Sequence, residues 1–238
     1  MAAFVVAHGA WSAGFVWKRM HPLMRAAGHD LFTPTLTGLG ERWHLAHAQI
    51  DLEHHIEDIC AVLFHEDLRD VILVGHSYGG FVATGVADRM PERLSHVVYL
   101  DAFAPKAADT MLGLATPESR ERWMEGARTQ GDGWRVPPNP LPPDTSAADL
   151  EWIMPRRHPQ PLGTMTQPLA LTRAETPLPR SFIYCTRIGP DDMFGPFARA
   201  ANADARWRYF EMDASHNPHI TAPDALADIL CAIAAGRA

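Results

Sequence analysis

A serine stands at the sharpest predicted turn of the chain, within the Gly-His-Ser-Tyr-Gly sequence of residues 75–79. An apolar, β-branched run at 71–74 precedes the turn, and a helix-like segment at 81–87 follows it. A serine between strand and helix is held on a strained turn with its hydroxyl at the carboxyl edge of a sheet, and the two glycines let strand and helix approach. The pattern predicts nucleophilic catalysis by Ser77.

The serine needs a base, because a hydroxyl is a weak nucleophile near neutral pH, and the base needs a third group that fixes its tautomer. With a nucleophile on such a turn, the chain order is serine, acid, histidine, and the histidine lies on a loop after the last strand. His216 directly follows the strand-like run Trp207–Met212, and Pro218 then prevents further extension. We predict His216 as the general base.

Three aspartates compete for the role of the acid. The strand-like run 182–185 leads into Asp191 and Asp192, and the chain order favours Asp191 first and Asp192 second. Asp101 ends the run 97–100, and its carboxylate could reach the same histidine from the other side. The sequence therefore offers three candidates for the acid, Asp191, Asp192 and Asp101, and favours Asp191.

The negative charge that develops on a substrate oxygen needs hydrogen-bond donors. The amide of Tyr78, the residue after the nucleophile, is one predicted donor, and an amide in the loop after the first strand is the other. Ala10 is the best candidate in that loop. His8 precedes it, and a histidine at a strand end beside a glycine more often satisfies backbone groups than acts in catalysis.

The remaining pattern alternates strands and helices. Core strands are predicted at 4–6, 71–74, 97–100, 182–185 and 207–212, and amphipathic helices at 16–27, 52–64 and 223–235. Such alternation implies right-handed crossovers and a doubly wound, mostly parallel sheet covered by helices on both faces, an α/β fold with its site at the carboxyl ends of the strands.

One interval breaks this rhythm, because about 75 residues without a sheet strand follow Leu100, and they include a proline cluster at 137–143. We expect a helical cap over the site, inserted between late strands. The chain is then one domain, 1–238, with a core at about 1–104 and 178–238 and a cap at about 105–177.

Aromatic and methionine side chains near the expected site suggest an apolar pocket wall, although for any one of them burial in the cap core is the simpler explanation. The predicted pocket residues are Trp11, Phe103, Trp123, Trp152 and Met165.

The charge balance argues against polyanionic partners. The chain has 21 Lys and Arg against 28 Asp and Glu, a net charge of −7, without a basic cluster. We therefore expect no nucleic acid or membrane partner, and a monomer or a homodimer that acts on a small-molecule ester. The strand-like residues 3–7 leave no room for a signal peptide, which favours the cytoplasm.

Histidines and aspartates are concentrated between residues 44 and 58, but their spacing matches no metal-site motif. The three cysteines lie in apolar segments and are odd in number, which favours buried thiols. We expect no metal and no cofactor.

Several segments together resemble the bacterial esterase branch of the α/β-hydrolase superfamily, whose plant relatives include methylesterases and hydroxynitrile lyases. The segments are 4–11, 26–29, 33–42, 74–80 and 98–103. The resemblance covers essentially the whole chain. It implies an α/β-hydrolase fold with Ser77 as nucleophile, His216 as base and Asp191 as acid, and with oxyanion amides at Ala10 and Tyr78.

The chain departs from the plant lyases at two positions. They have a threonine where this chain has Gly9, and a lysine for the cyanide leaving group where it has Asn217. The sequence thus predicts a serine carboxylic-ester hydrolase that acts on small to medium apolar or aryl esters through an acyl-enzyme. A lyase on the same scaffold and a non-catalytic small-molecule receptor are the alternatives.

Overall fold

The computed structural model describes residues 1–188 and 192–236. Its strands, in chain order, are β1 (Ala3–Ala7), β2 (Asp30–Phe32), β3 (Val71–His76), β4 (Leu94–Leu100), β5 (Arg135–Val136), β6 (Gln160–Pro161), β7 (Arg180–Cys185) and β8 (Trp207–Met212). Six of them form one sheet in the order β2-β1-β3-β4-β7-β8, and every neighbouring pair in it is parallel. The predicted doubly wound, largely parallel α/β fold is confirmed.

Helices cover both faces of this sheet and also form part of the segment between β4 and β7. They are α1 (Met20–Ala26), α2 (Leu52–His65), α3 (Gly79–Arg89), α4 (Met111–Leu114), α5 (Pro117–Gln130), α6 (Ala147–Ile153), α7 (Gly163–Thr166), α8 (Gly195–Asn202), α9 (Pro218–Thr221) and α10 (Pro223–Ala234). Alternate strand residues point to opposite faces, so Leu73 packs with the cluster that includes α2 and α3, and Val74 with the cluster that includes α1 and α10. Both faces are apolar, as a buried parallel sheet requires.

The strand register brings the ends of β3 and β4 side by side. His76 pairs with Leu100, so the residues that follow, Ser77 and Asp101, are neighbours at the carboxyl edge. The amide of Ser77 donates to the carbonyl of Leu100 at 3.2 Å, and the amide of Asp101 donates to the carbonyl of Ile183 at 2.7 Å. The sheet itself thus positions the candidate nucleophile and one candidate acid.

The segment at 105–177, called the cap segment below, adds no strand to the main sheet. It contains α4, α5, α6 and α7, and a small antiparallel sheet in which β5 pairs with β6. Apart from α5 its elements are short, and prolines interrupt the stretch between α5 and α6.

Two local predictions differ from the structure. The helix expected over 16–27 is a 3-10 turn, Gly14–Trp17, followed by the shorter α1. The edge strand β2 was not predicted, because three half-exposed residues carry too little periodicity to be recognised. Among the described residues, no helix is both long enough and apolar enough to cross a membrane.

Candidate active site

Ser77 occupies a strained turn that glycines on both sides make possible. Its φ is +57°, in the left-handed region, and its side chain lies in a cavity wall. A Cβ on Gly79 would lie 1.9 Å from the carbonyl oxygen of Ala7, and one on Gly80 would lie 1.9 Å from that of Phe103. Any side chain at these positions would push α3 away from the sheet. The sequence Gly-x-Ser-x-Gly-Gly is thus a steric requirement of the turn.

His216 forms an ion-pair-type hydrogen bond with Asp101. Nδ1 of His216 lies 2.6 Å from Oδ2 of Asp101, whose other oxygen accepts from the amide of Cys185 at 3.3 Å. Asp101 is buried and has a φ of +40°, which turns the chain at the end of β4. A carboxylate on Nδ1 fixes the tautomer, so Nε2 is left as the basic nitrogen.

Two rings lie against the His216 imidazole. Phe194 stacks on it with a centroid distance of 4.9 Å and an interplanar angle of 7°, and the His76 ring lies 4.8 Å away. Nε2 of His76 also donates to the carbonyl oxygen of His216 at 2.7 Å. Burial holds the pKa of His76 well below its usual value, so it adds no positive charge beside the candidate base.

The acid that the structure pairs with His216 is Asp101, which the sequence ranked behind Asp191. Asp191 lies outside the described residues. Asp192 has other partners: its Oδ1 accepts from the hydroxyl of Tyr184 at 3.1 Å and from the amide of Gly195 at 2.7 Å, at the start of α8. Chain order alone favoured the end of β7, whereas the end of β4 reaches the histidine in space.

The backbone amides of the two predicted oxyanion donors make no described hydrogen bond. In the described part of the chain, neither the Ala10 nor the Tyr78 amide has a hydrogen-bond acceptor, and Ala10 and Ser77 line the same cavity. Trp11, next to Ala10, has a φ of +57° and is held by two bonds from the cap segment. Its amide donates to Oε1 of Gln160 at 3.0 Å, and its indole Nε1 donates to the carbonyl of Val136 at 2.8 Å.

A cavity of about 820 Å³ lies between the sheet edge and the cap segment. Trp11, Phe103 and Trp123 of the predicted pocket residues line it. Trp152 and Met165 do not belong to its wall. Trp152 packs edge-on against Phe15 on the far side of α6, at 5.5 Å, and Met165 is fully buried in the core.

The remaining histidines of interest have structural partners. Nδ1 of His8 donates to the carbonyl of Gly9 at 2.9 Å, and its Nε2 accepts from the amide of Leu36 at 3.0 Å. Burial lowers the pKa of His8 to about 4, so it is a neutral bridge between backbone groups. His54 and Asp51 form a capping box at the start of α2. Within residues 1–188 and 192–236, no three acidic, histidine or cysteine side chains are grouped to hold a metal.

Three further residues of the site carry no recognised signal in the sequence. They are Phe194, which stacks on the histidine, Gln160, which holds the Trp11 amide, and Arg157 in the cavity wall. Phe194 and Arg157 come from irregular segments and Gln160 from the two-residue strand β6, and none of these has a periodicity that predicts which side chain turns inward. His76 had a positional signal, since it directly precedes the nucleophile.

Two comparisons concern the relatives of the chain. An esterase of Nocardioides sp. (strain SG-4G) that hydrolyses carbendazim is 35% identical over 242 residues, which cover 98% of this chain and 100% of the esterase. Methyl jasmonate esterase 1 of Vitis vinifera is 26% identical over 202 residues, which cover 78% of this chain and 74% of that enzyme. Both similarities are to esterases.

A solved structure supports the fold. An extracellular α/β-hydrolase from a Paenibacillus species superposes with a TM-score of 0.84 at 24% identity, covering 97% of this chain and 98% of that one. The sequence profile of the alpha/beta hydrolase family matches residues 4–229. The predicted superfamily is confirmed, and the chain belongs to the alpha/beta hydrolase family.

Proposed function

We propose that the protein is a serine carboxylic-ester hydrolase in which Ser77, His216 and Asp101 form the catalytic triad. The observation that carries the proposal is the 2.6 Å contact between His216 and Asp101, in a cavity that also contains Ser77 on its strained turn. Ester hydrolysis is also the activity of the relatives that match most of the chain. No cofactor is needed for this chemistry.

In the acylation step, Nε2 of His216 removes the proton of the Ser77 hydroxyl as its oxygen attacks the ester carbonyl carbon. The carbonyl π bond opens, and its electron pair moves to the oxygen, where the Ala10 and Tyr78 amides stabilise the charge. When the tetrahedral intermediate collapses, the protonated His216 gives its proton to the departing alkoxide. An alcohol leaves, and the acyl group remains on Ser77.

In the deacylation step, a water molecule takes the place of the alcohol. His216 removes one of its protons, the resulting hydroxide adds to the acyl carbon, and the same two amides stabilise the second oxyanion. Ser77 then leaves with the proton from His216, and the carboxylic acid is released. Asp101 keeps its charge throughout and stabilises the imidazolium in both steps.

The structure has no direct hydrogen bond between Ser77 and His216 among the described contacts. Such catalytic bonds are often long without substrate and shorten in the complex. His216 is held from three sides by Asp101, Phe194 and His76, so the ring is already oriented.

The pocket favours esters with an apolar or aryl part. Trp11 and Trp123 lie with ring centroids 5.6 Å apart, and Phe103, Met111 and Ile153 add further apolar surface. Flat or branched apolar groups gain affinity on such surfaces through burial and ring contacts. A lyase reaction on a cyanohydrin is disfavoured, because Asn217 offers no positive charge for the leaving cyanide.

The test is hydrolysis of p-nitrophenyl, aryl and methyl esters, combined with labelling by a serine-directed phosphonate. Ser77→Ala should lower kcat on the order of 10⁴ to 10⁶ and abolish labelling. Ser215→Ala is the matched control, since Ser215 also lines the cavity and its buried hydroxyl has no described partner. It should keep both turnover and labelling. A wild type that binds esters but neither turns over nor is labelled would support the receptor alternative instead.

A further inference from the structure

Arg157 places a guanidinium in the cavity wall without a described counter-ion. It follows α6 in the cap segment, and its Nη1 donates to the backbone carbonyl of Asn139 at 2.5 Å. In the described part of the chain, this is the only hydrogen bond of the guanidinium, and no carboxylate pairs with it. A guanidinium has five N–H donors, so most of its capacity is unused.

Two other arginines line the cavity, and one of them is paired with a carboxylate whereas the other is exposed to solvent. Arg187 binds Asp213 through two bonds, at 2.8 and 2.9 Å, and its charge is balanced at the cavity rim. Arg122 donates to the hydroxyl of Ser119 at 3.0 Å and is exposed to solvent. Arg157 is the half-buried one, and burial alone lowers its pKa to about 10. A charge that has lost much of its water without gaining a partner is costly, and such groups are typical of binding sites.

A chain of contacts connects Arg157 to the oxyanion loop. The rings of Trp11 and Trp123 are 5.6 Å apart, and Nε1 of Trp123 donates to Oδ1 of Asn139 at 2.9 Å. The backbone oxygen of the same Asn139 accepts from Arg157. The cavity wall therefore runs from the oxyanion amide, past two indole rings, to a cation at the cap end.

We propose that Arg157 binds a carboxylate at the non-reacting end of the substrate. The preferred esters are then monoesters with a free second carboxylate, such as those of dicarboxylic acids, whose apolar middle lies along Trp11 and Trp123. A guanidinium matches a carboxylate with two parallel N–H···O bonds, and in a partly desolvated wall such a bond is stronger than at the surface. This inference takes ester hydrolysis from the proposed function, and it derives the preference for a second carboxylate from Arg157.

The experiment compares two series of p-nitrophenyl esters with equal chain lengths. One series has a free carboxylate at the far end of the acyl chain, and the other ends in a methyl group. The quantity of interest is the ratio of kcat/KM for each matched pair. In the wild type we expect the carboxylate ester to be favoured by about tenfold or more at one optimal chain length, as one charge-assisted bond would give.

Arg157→Gln should abolish this preference while leaving kcat/KM for the methyl-ended series within about threefold, since the triad is untouched. Arg157→Lys should retain part of it, because the charge remains but the two-bond geometry is lost. Arg122→Gln is the matched control and should leave the ratio unchanged. A wild type without preference at any chain length, or an Arg157→Gln variant that slows both series equally, overturns the inference.

Two further measurements test the carboxylate site independently of the proposed ester hydrolysis. Asp191→Asn tests whether a residue outside the described part neutralises Arg157, and a preference that emerges only in this variant would overturn the proposal. Calorimetric binding of the carboxylate and methyl-ended esters to Ser77→Ala, with and without Arg157→Gln, tests recognition without turnover. If the wild type hydrolyses no ester, equal binding of the two ligands overturns the carboxylate site, whereas Arg157-dependent binding supports it.

Discussion

The carboxyl edge of the sheet and the cap segment fix their functional groups by different means. At the sheet edge, Ser77 and Asp101 directly follow neighbouring strands, and backbone bonds set their separation. In the cap segment, Arg157 and Gln160 come from short or irregular elements and act through single side-chain contacts. The groups at the edge are thus fixed by backbone contacts between strands, and these two groups of the cap by side-chain contacts.

Under the proposed function, this difference separates the residues that carry the reaction from those that select the substrate. A group that must act within a few tenths of an ångström gains from a rigid parallel sheet, because neighbouring strands allow no independent movement. A pocket wall made of side chains on short elements can change one contact at a time. We therefore expect substitutions at the edge to reduce the rate for all esters, and substitutions in the cap to change which ester is preferred.

The largest effect that tests this division is expected from the acid. Asp101→Asn should lower kcat on the order of 10³ to 10⁴, because an amide donates to Nδ1 of His216 and holds the wrong tautomer. The oxygen that accepts from Cys185 is preserved, so folding should be retained. Steady-state kinetics with a p-nitrophenyl ester, and a thermal melt of each variant, provide the measurement.

Asp191→Asn and Asp192→Asn are the comparisons for this variant, and each should change kcat by less than about tenfold. A severe loss in Asp191→Asn with a mild loss in Asp101→Asn would return the acid role to the end of β7.

An intermediate effect is expected where the cap contacts the edge. Gln160 is fully buried, and its Oε1 accepts from the amide of Trp11, which adjoins the Ala10 donor. Gln160→Leu leaves that amide without its acceptor, so the oxyanion loop loses its fixed geometry. We expect kcat to fall about 10- to 100-fold with little change in KM, because the loss is felt in the transition state.

Gln167→Leu is the matched control for this contact. Gln167 also lies in the cap segment, and its Oε1 also accepts from a core amide, that of Glu53, at 3.0 Å, but it does not line the cavity. The two substitutions thus remove the same kind of bond. If both variants lose activity equally, the loss reflects the general stability of the cap segment. The claim that Gln160 acts through the oxyanion loop is then wrong.

A separate prediction concerns stability against acid, which should depend on the core and not on the site. Burial lowers the pKa of His8, His55 and His96 to about 4 and that of His219 to about 3, from 6.5 in the unfolded chain. Between pH 6.5 and 4, the unfolded state therefore binds more protons than the folded state. The free energy of unfolding should fall as the pH falls, by about 1.4 kcal/mol per pH unit for each such histidine.

Urea unfolding between pH 7 and 4.5 measures this slope. His96→Gln removes one of these groups far from the cavity and can keep a bond to Ser181, so its slope should be shallower by the share of one histidine. A free energy of unfolding that does not change over this range, or an unchanged slope in His96→Gln, contradicts the assignment.

The same division explains what the sequence could predict. The strand β8 was predicted with the bounds that the structure has, and α2 within one residue, because buried strands and amphipathic helices repeat their apolar positions. The strained turn at Ser77 was predicted from local sterics, since only small neighbouring residues allow that turn. Such features depend on about ten consecutive residues, so they can be predicted without knowledge of the tertiary fold.

The contact between His216 and Asp101 could not be predicted in the same way, because it depends on which strand end the histidine loop meets. Asp101 and His216 are 115 residues apart in sequence, and no local pattern connects them. Gln160 and Arg157 were not predicted either, because polar residues in very short or irregular segments are usually solvent-exposed. Trp152 was expected in the pocket because it is aromatic. It lies on a face of α6 that packs against Phe15 and not against the cavity.

The two bonds that hold Trp11 set a condition on any engineered recombination of this enzyme with its relatives. A transplanted cap that lacks a carbonyl at the place of Val136 and an acceptor at the place of Gln160 would carry a new pocket but release the Trp11 indole and amide. A chimera should therefore exchange the β5–β6 pair together with residues 9–11, as one module. A crossover point between residues 9–11 and the β5–β6 pair would combine an oxyanion loop with a cap that does not hold the loop in place.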